Sequence, residues 1–150
     1  MRDRPIRVLF VCTGNSARSV MAEALLRQHG GSAFEVDSAG TEPKGINPLT
    51  LRILAEVEID ASWARSKSVA EFAGQSFDYV ITVCDQARQS CPVFPGAHES
   101  LHWGYEDPAA AQGTDEDRLV VFRRVLTQIG ERINLFIPLA GQEAVASPDA

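Results

Sequence analysis

Two kinds of apolar pattern alternate along this chain. Ile6–Val11 (IRVLFV) is an unbroken apolar run rich in β-branched residues, which predicts a strand buried on both faces. From Ser19 to about Gln28 the spacing becomes helical, with Met21, Ala24 and Leu25 on one stripe, and Gly30 and Gly31 end it. Phe34–Ser38 reads as a short second strand and Ala39–Asn47 as a loop broken by Gly40, Pro43 and Gly45. Leu49–Glu58 is helical again, with Asn47 as its N-cap and Pro48 at its first position. A short helix is expected at Val69–Ala73. Phe77–Val83 (FDYVITV) is the second strong β-rich run and stops at Cys84. Asp85–Ser90 fits a short helix between Cys84 and Cys91, after which Pro92, Pro95 and Gly96 force a loop. Ser100–Trp103 is a fourth short strand and Tyr105–Gly113 a loop. Thr114 caps a final helix whose first turn carries Asp115, Glu116 and Asp117. Its core stripe is Phe122, Val125, Leu126, Ile129, Ile133 and Phe136.

Strands alternating with helices predict an α/β fold: a four-stranded parallel sheet flanked by helices, wound right-handed. Residues 1–138 then make a single domain, and 139–150, beyond Pro138, a flexible C-terminal tail. Ligands of such sheets bind at the carboxyl ends of the strands. Cys12, Cys84 and the segment Trp103–Asp107 all fall there, a convergence that core packing does not require.

Charge and composition narrow the function. A formal net charge of -6 argues against broad nucleic-acid binding, which needs a basic face. It does not exclude a small anion, which responds to a local field. No apolar run approaches the ~20 residues of a membrane span. The run after Arg7 is too short for a secretion signal, so a cytoplasmic location is expected. The 3 cysteines, Cys12, Cys84 and Cys91, do not suit a disulfide framework and leave reactive or inert buried thiols.

The stretch Val11–Ser19 (VCTGNSARS) carries the clearest chemistry. A strand-to-helix turn of small residues, Thr13, Gly14, Asn15, Ser16 and Ala17, aims backbone N–H groups at one point, and the helix N-terminus adds partial positive charge. Such a nest binds a tetrahedral oxyanion. Arg18 adds a bidentate grip, Ser19 can hydrogen-bond the thiol, and the same field favours the Cys12 thiolate. A nucleophile at the floor of the cradle attacks the central atom of the bound oxyanion. The stretch is neither a Walker A loop nor a dinucleotide fingerprint. The bland alternative is a buried cysteine ending a strand and a surface arginine starting a helix.

VLFVCTGNSARS with MAEALLR closely resembles the opening of the low-molecular-weight protein tyrosine phosphatase superfamily, and within it the thioredoxin-coupled arsenate reductases. DSAGTEPKGINP, VITVCDQARQSCPVFPG and HWGYEDPAA continue the resemblance in order, over nearly all of positions 6 to 137. The phosphate loop fits either branch; the segment with Cys84 and Cys91 is specific to the reductases. The resemblance implies a low-molecular-weight phosphatase-like, Rossmann-like sandwich. It further implies that Cys12 attacks arsenate, that Asp107 protonates the departing oxygen, and that a disulfide passes from Cys12–Cys84 to Cys84–Cys91. Thioredoxin would reduce the final disulfide, with a glutaredoxin-type reductant as the other possibility. No cofactor is implied. Weak phosphatase activity is expected, because a phosphate ester meets the same nucleophile and acid. A tyrosine phosphatase using Cys12, Arg18 and Asp107 is the alternative. Against it, Ala109, Ala110 and Ala111 follow Pro108 where such phosphatases place aromatics.

Some relatives bind potassium near the loop through an asparagine, a glutamate, a serine and an aspartate. Asn15, Glu23 and Ser38 match, whereas Lys67 stands at the aspartate position, and its ammonium is expected to replace the cation. Ala17 replaces a second cysteine found in some relatives. Glu106 is the competitor of Asp107 for the acid role, and Asp85 reads as a helix cap. His29, His98 and His102 lack ligand spacing with the cysteines, so no metal is assigned. Trp103 reads as packing. A monomer is the default for a domain this size.

Overall fold

A computed structural model of the chain describes residues 4–96 and 98–146, with side chains through Gly141. The strands are β1 (Ile6–Cys12), β2 (Phe34–Gly40), β3 (Tyr79–Thr82) and β4 (Glu99–His102), in the order β2-β1-β3-β4 with every pairing parallel. The helices are α1 (Arg18–Gly30), α2 (Pro48–Glu56), α3 (Asp85–Ser90) and α4 (Asp115–Ala146). Short 3-10 turns lie at Gly31–Ala33, Val69–Phe72 and Pro108–Ala110. This is the expected four-stranded α/β sandwich. None of its described helices is long and apolar enough to cross a membrane.

Local chemistry accounts for most boundaries. Gly31 ends α1 at φ 57°, a backbone that glycine adopts without steric cost. Asn47 Oδ1 accepts the Leu49 amide at 2.9 Å and Pro48 opens α2. Thr114 Oγ1 accepts the Asp117 amide at 3.1 Å while Asp117 Oδ2 accepts the Thr114 amide at 3.0 Å, a reciprocal cap that starts α4. β2 runs beyond Ser38 to Gly40, following β1 to its end through the Cys12–Gly40 pair.

β1 is the centre of the core: Val8, Leu9, Phe10 and Val11 are wholly buried. Trp103 packs between Phe10 and Phe136, with ring centroids 5.8 and 5.5 Å away, as its reading as a packing residue requires. Each such large side chain contributes roughly 1.5–3 kcal/mol by leaving water. α1 departs from the single apolar stripe expected of it, since every residue from Ser19 to Leu26 is buried. It lies against β1 and β2 with α2 and α4 also packed on it, so even Ser19 and Glu23 are enclosed. α4 also departs from expectation. It continues through Pro138 to Ala146, because the buried stripe extends one turn further to Ala140, 1% exposed. Packing there outweighs the lost helical hydrogen bond. The expected tail 139–150 is thus helical in its first part, and 147–150 lie outside the described residues.

Candidate active site

Cys12 is the last residue of β1 and Arg18 the first of α1, so the residues between them form the expected turn at the carboxyl edge of the sheet. β1 and β3 are neighbours with Val11 paired to Thr82, and Cys84 therefore leaves an adjacent strand end. β4 ends at His102, immediately before Trp103–Asp107. A cleft of about 610 Å³ opens here, lined by Thr13, Arg18, Cys84, Gln86, Gly104 and Glu106 among others. An equally large groove elsewhere, between α1, α4 and the segment after α2, is lined by Leu25, Ile59 and Leu126 among others and holds no cysteine.

The turn takes its shape from bonds that no motif announces. The carbonyls of Cys12, Thr13, Gly14 and Ser16 accept the amides of Thr41, Glu42, Lys44 and Asn47 at 3.1, 2.8, 2.9 and 3.1 Å. Thr50 Oγ1 and Ser66 Oγ donate to the carbonyls of Ser16 and Gly14, at 2.8 and 3.2 Å. Residues 41–47 thus strap the outside of the turn. Because a trans peptide points its N–H opposite its C=O, the amides are left for the inner side. The Asn15 amide indeed points at Cys12 Sγ, 3.2 Å away. Gly40 permits this approach: a Cβ there would lie 2.5 Å from the Thr13 carbonyl oxygen. Ala17 makes no side-chain cap and the first turn of α1 holds no acid, so the helix N-terminus keeps its positive field for an anion.

A buried polar chain fixes the nucleophile. Asn15, at φ 46° in the left-handed region that asparagine tolerates, is fully buried. Its Nδ2 donates to Ser19 Oγ at 2.8 Å and Ser38 Oγ at 2.9 Å, while its Oδ1 accepts the Lys67 amide at 2.8 Å. Ser19 Oγ, already accepting, has its own hydrogen free for Cys12 Sγ at 2.8 Å. Ser38 donates onward to Glu23 Oε1 at 2.6 Å. The Lys67 ammonium is buried, 3.9 Å from Glu23 Oε1, and donates to the Arg65 carbonyl at 3.1 Å. Arg27 pairs with Glu23 Oε2 at 2.6 Å, an ion pair without hydrogen-bond geometry, and stacks over Trp63 at 4.0 Å. Burial raises the Glu23 carboxyl above its ordinary value, against the pull of Ser38, Lys67 and Arg27.

Arg18 Nη1 donates to the Tyr105 carbonyl at 3.0 Å, and Nη2 lies 3.8 Å from Asp107 Oδ2. Asp107 Oδ1 accepts the Ala109 amide at 3.0 Å, which opens the turn Pro108–Ala110. Glu106 is engaged elsewhere. Arg124 Nε donates to it at 2.7 Å and holds its carboxyl below the usual range. Of the two acids, Asp107 is therefore the one beside Arg18. Cys84 is buried, with Sγ 3.3 Å from the hydroxyl of Thr13, the neighbour of Cys12. Cys91 is half-buried at the end of α3, and burial pushes its thiol up. Asp85 is the first residue of α3 and not its cap. Cys84 holds the cap position without a side-chain capping bond, and Asp85 turns to His102 at 3.0 Å.

The sequence reading missed the strap 41–47, Thr50 and Ser66. These act through the backbone or as isolated hydroxyls, and only Gly40 marked the close approach.

Residues 7–146 match the low molecular weight phosphotyrosine protein phosphatase family, and the chain belongs to that family. It is 43% identical over 129 residues to an arsenate reductase of Halalkalibacterium halodurans, covering 86% of this chain and 93% of that one. Among solved structures it is similar to an arsenate reductase in the phosphate binding state, with a TM-score of 0.70 and 30% identity over 89% of this chain and 97% of the other. It is likewise similar to a thioredoxin-dependent arsenate reductase of Corynebacterium glutamicum, with a TM-score of 0.72 and 31% identity over 93% of this chain and 63% of that one.

Proposed function

We propose that the protein is a cytoplasmic, monomeric arsenate reductase that works through three thiols and is regenerated by thioredoxin. The observation that carries this reading is Cys84 beside the Cys12 cradle, its thiol 3.3 Å from Thr13, with Cys91 at the far end of α3. A phosphatase needs neither of these cysteines.

Arsenate, a phosphate-shaped oxyanion, sits on the amides of the turn and the Arg18 guanidinium. Cys12 thiolate forms a sulfur–arsenic bond, and Asp107 gives its proton to the oxygen that leaves as water. Cys84 thiolate then attacks the Cys12 sulfur. The sulfur–arsenic electron pair stays on arsenic, which departs as arsenite, two electrons reduced, and a Cys12–Cys84 disulfide remains. Cys91 thiolate attacks Cys84 and frees Cys12, and an external dithiol reduces the Cys84–Cys91 disulfide. Seven helical steps separate Cys84 from Cys91, about 10 Å of rise. A disulfide needs Cα atoms within about 7 Å, so α3 unwinds during the second exchange.

Ester hydrolysis is the second reading, favoured by family membership and by the shared cradle. Pro108–Ala110 with Ala111 gives a phosphotyrosine ring no aromatic wall, so this activity is weak. The test is arsenite production from arsenate with a thioredoxin regenerating system, run beside p-nitrophenyl phosphate hydrolysis. Thioredoxin-dependent turnover far above the ester rate is expected. Ester hydrolysis with no arsenate turnover under thioredoxin or glutaredoxin would overturn the reading.

A further inference from the structure

α3 has 6 residues, far too few to be stable alone, so side-chain anchors decide where it holds and where it opens. Those anchors are unevenly placed. Asp85, its first residue, bonds His102 Nε2 at 3.0 Å. Gln86 meets the Thr13 hydroxyl at 3.4 Å, and Ala87 is fully buried. Gln89 and Ser90 are exposed and make no side-chain hydrogen bond among the described residues.

The His102 ring is itself fixed. A carboxylate only accepts, so Nε2 carries the hydrogen toward Asp85, while Nδ1 pairs with the Thr82 hydroxyl at 2.7 Å. Thr82 ends β3 and His102 ends β4, so the ring braces two adjacent strand ends against the start of α3. Gly104 leaves room for it: a Cβ there would lie 3.3 Å from His102 Nε2 and 3.9 Å from Asp85 Oδ1.

We propose that His102 is a positioning residue, pinning α3 at Asp85 so that Cys84 stays beside Cys12 while the helix unwinds from its Cys91 end. This rests on the three-thiol reading and adds a direction to it: Cys91 travels to Cys84, and Cys84 does not leave the cleft. An exposed pair of this kind has a modest effect, so the expected changes are about two- to fivefold.

The test uses the full chain, His102→Ala, and His102→Gln, whose amide can accept from Thr82 and donate to Asp85. Disulfides formed by the unaltered chain with arsenate are first mapped by mass spectrometry. If no Cys84–Cys91 bond appears, the three-thiol reading falls and the positioning role with it. Hydrogen exchange on the reduced proteins reads the pin separately. Amides of α3, Arg88 included, should exchange two- to fivefold faster in His102→Ala, with His102→Gln restoring protection. In a Cys91→Ser background, which traps the first disulfide, His102→Ala should slow Cys12–Cys84 formation by a similar factor and leave p-nitrophenyl phosphate hydrolysis unchanged. Equal exchange in all three proteins would overturn the pin even where the relay runs. Faster exchange with unchanged capture of Cys12 would overturn the claim that the pin positions Cys84.

Discussion

Gly40→Ala tests whether the strap shapes the cradle. The new methyl carbon would lie 2.5 Å from the Thr13 carbonyl oxygen, 2.9 Å from the Asn15 amide nitrogen and 3.0 Å from Asn15 Cβ. Ordinary contacts begin near 3.4 Å, so the turn must retreat by about 0.9 Å at its tightest point. None of the atoms it meets is the end of a flexible side chain, and β2 is held in register on β1, so the turn is the part that yields. Misplacement of a reacting group by about 1 Å can cost about 100-fold in rate. Overpacking of this size costs about 1–3 kcal/mol of stability, a Tm loss of about 2–12 °C for a domain of this length. The expected result is a fall of about 100-fold in kcat/KM for p-nitrophenyl phosphate, weaker inhibition by inorganic phosphate, and a folded protein with a modestly lower Tm. Gly130→Ala is the control. Its methyl would meet only Leu25 Cδ1, at 3.9 Å, inside α4, where alanine stabilises by roughly 0.5–1 kcal/mol. Native kinetics in Gly40→Ala, with phosphate inhibition unchanged, would refute the view that the strapped turn is the oxyanion site.

Cys84→Ser and Cys91→Ser should each abolish repeated arsenate turnover yet keep ester hydrolysis within about twofold, whereas Cys12→Ser should abolish both; steady-state assays of the two reactions separate these outcomes. Asp107→Asn should lower kcat by about 100-fold or more with phosphate affinity retained. Glu106→Gln should change little, because Arg124 already holds that carboxylate. The Cys91 thiol is raised by burial, so its alkylation by iodoacetamide should climb with pH and level off above the ordinary thiol range. Urea exposes it, and the midpoint should then move down to the ordinary value. Lys67→Ala should turn a potassium-indifferent protein into one whose Tm rises with potassium more than with sodium; potassium activation of the unaltered chain would show that the ammonium does not replace the cation.

The frame was legible because most of its elements carried a local pattern, α1 being the exception. IRVLFV fits a doubly buried strand, and the stripe from Phe122 to Phe136 fits a long helix face. Cys-x5-Arg was legible because a nucleophile, small residues and an arginine are written consecutively. What stayed hidden was whatever the chain assembles from distant positions. Lys67 was noticed only by resemblance, and nothing local says that its amide and ammonium would serve Asn15 and Glu23, 52 and 44 residues earlier. α4 misled for the opposite reason. Pro138 is a strong local stop, but Ala140 belongs to a core that can only be counted once α1, α2 and the sheet are in place.

The same contrast explains how the site divides its work. The cradle is rigid because backbone strap, buried Asn15 and the Glu23–Lys67 pair all hold it from behind. Across the same cleft, α3 is held by one exposed hydrogen bond from His102 to Asp85, one long hydrogen bond and one buried alanine. Oxyanion chemistry needs fixed donors, since stabilising developing charge works only if the dipoles need not move. Disulfide transfer over about 10 Å needs the reverse, a segment whose opening free energy lies at the low end of the molecule's range. A short helix seated on a rigid sheet edge, firm at Cys84 and loose at Cys91, meets both demands within one cleft.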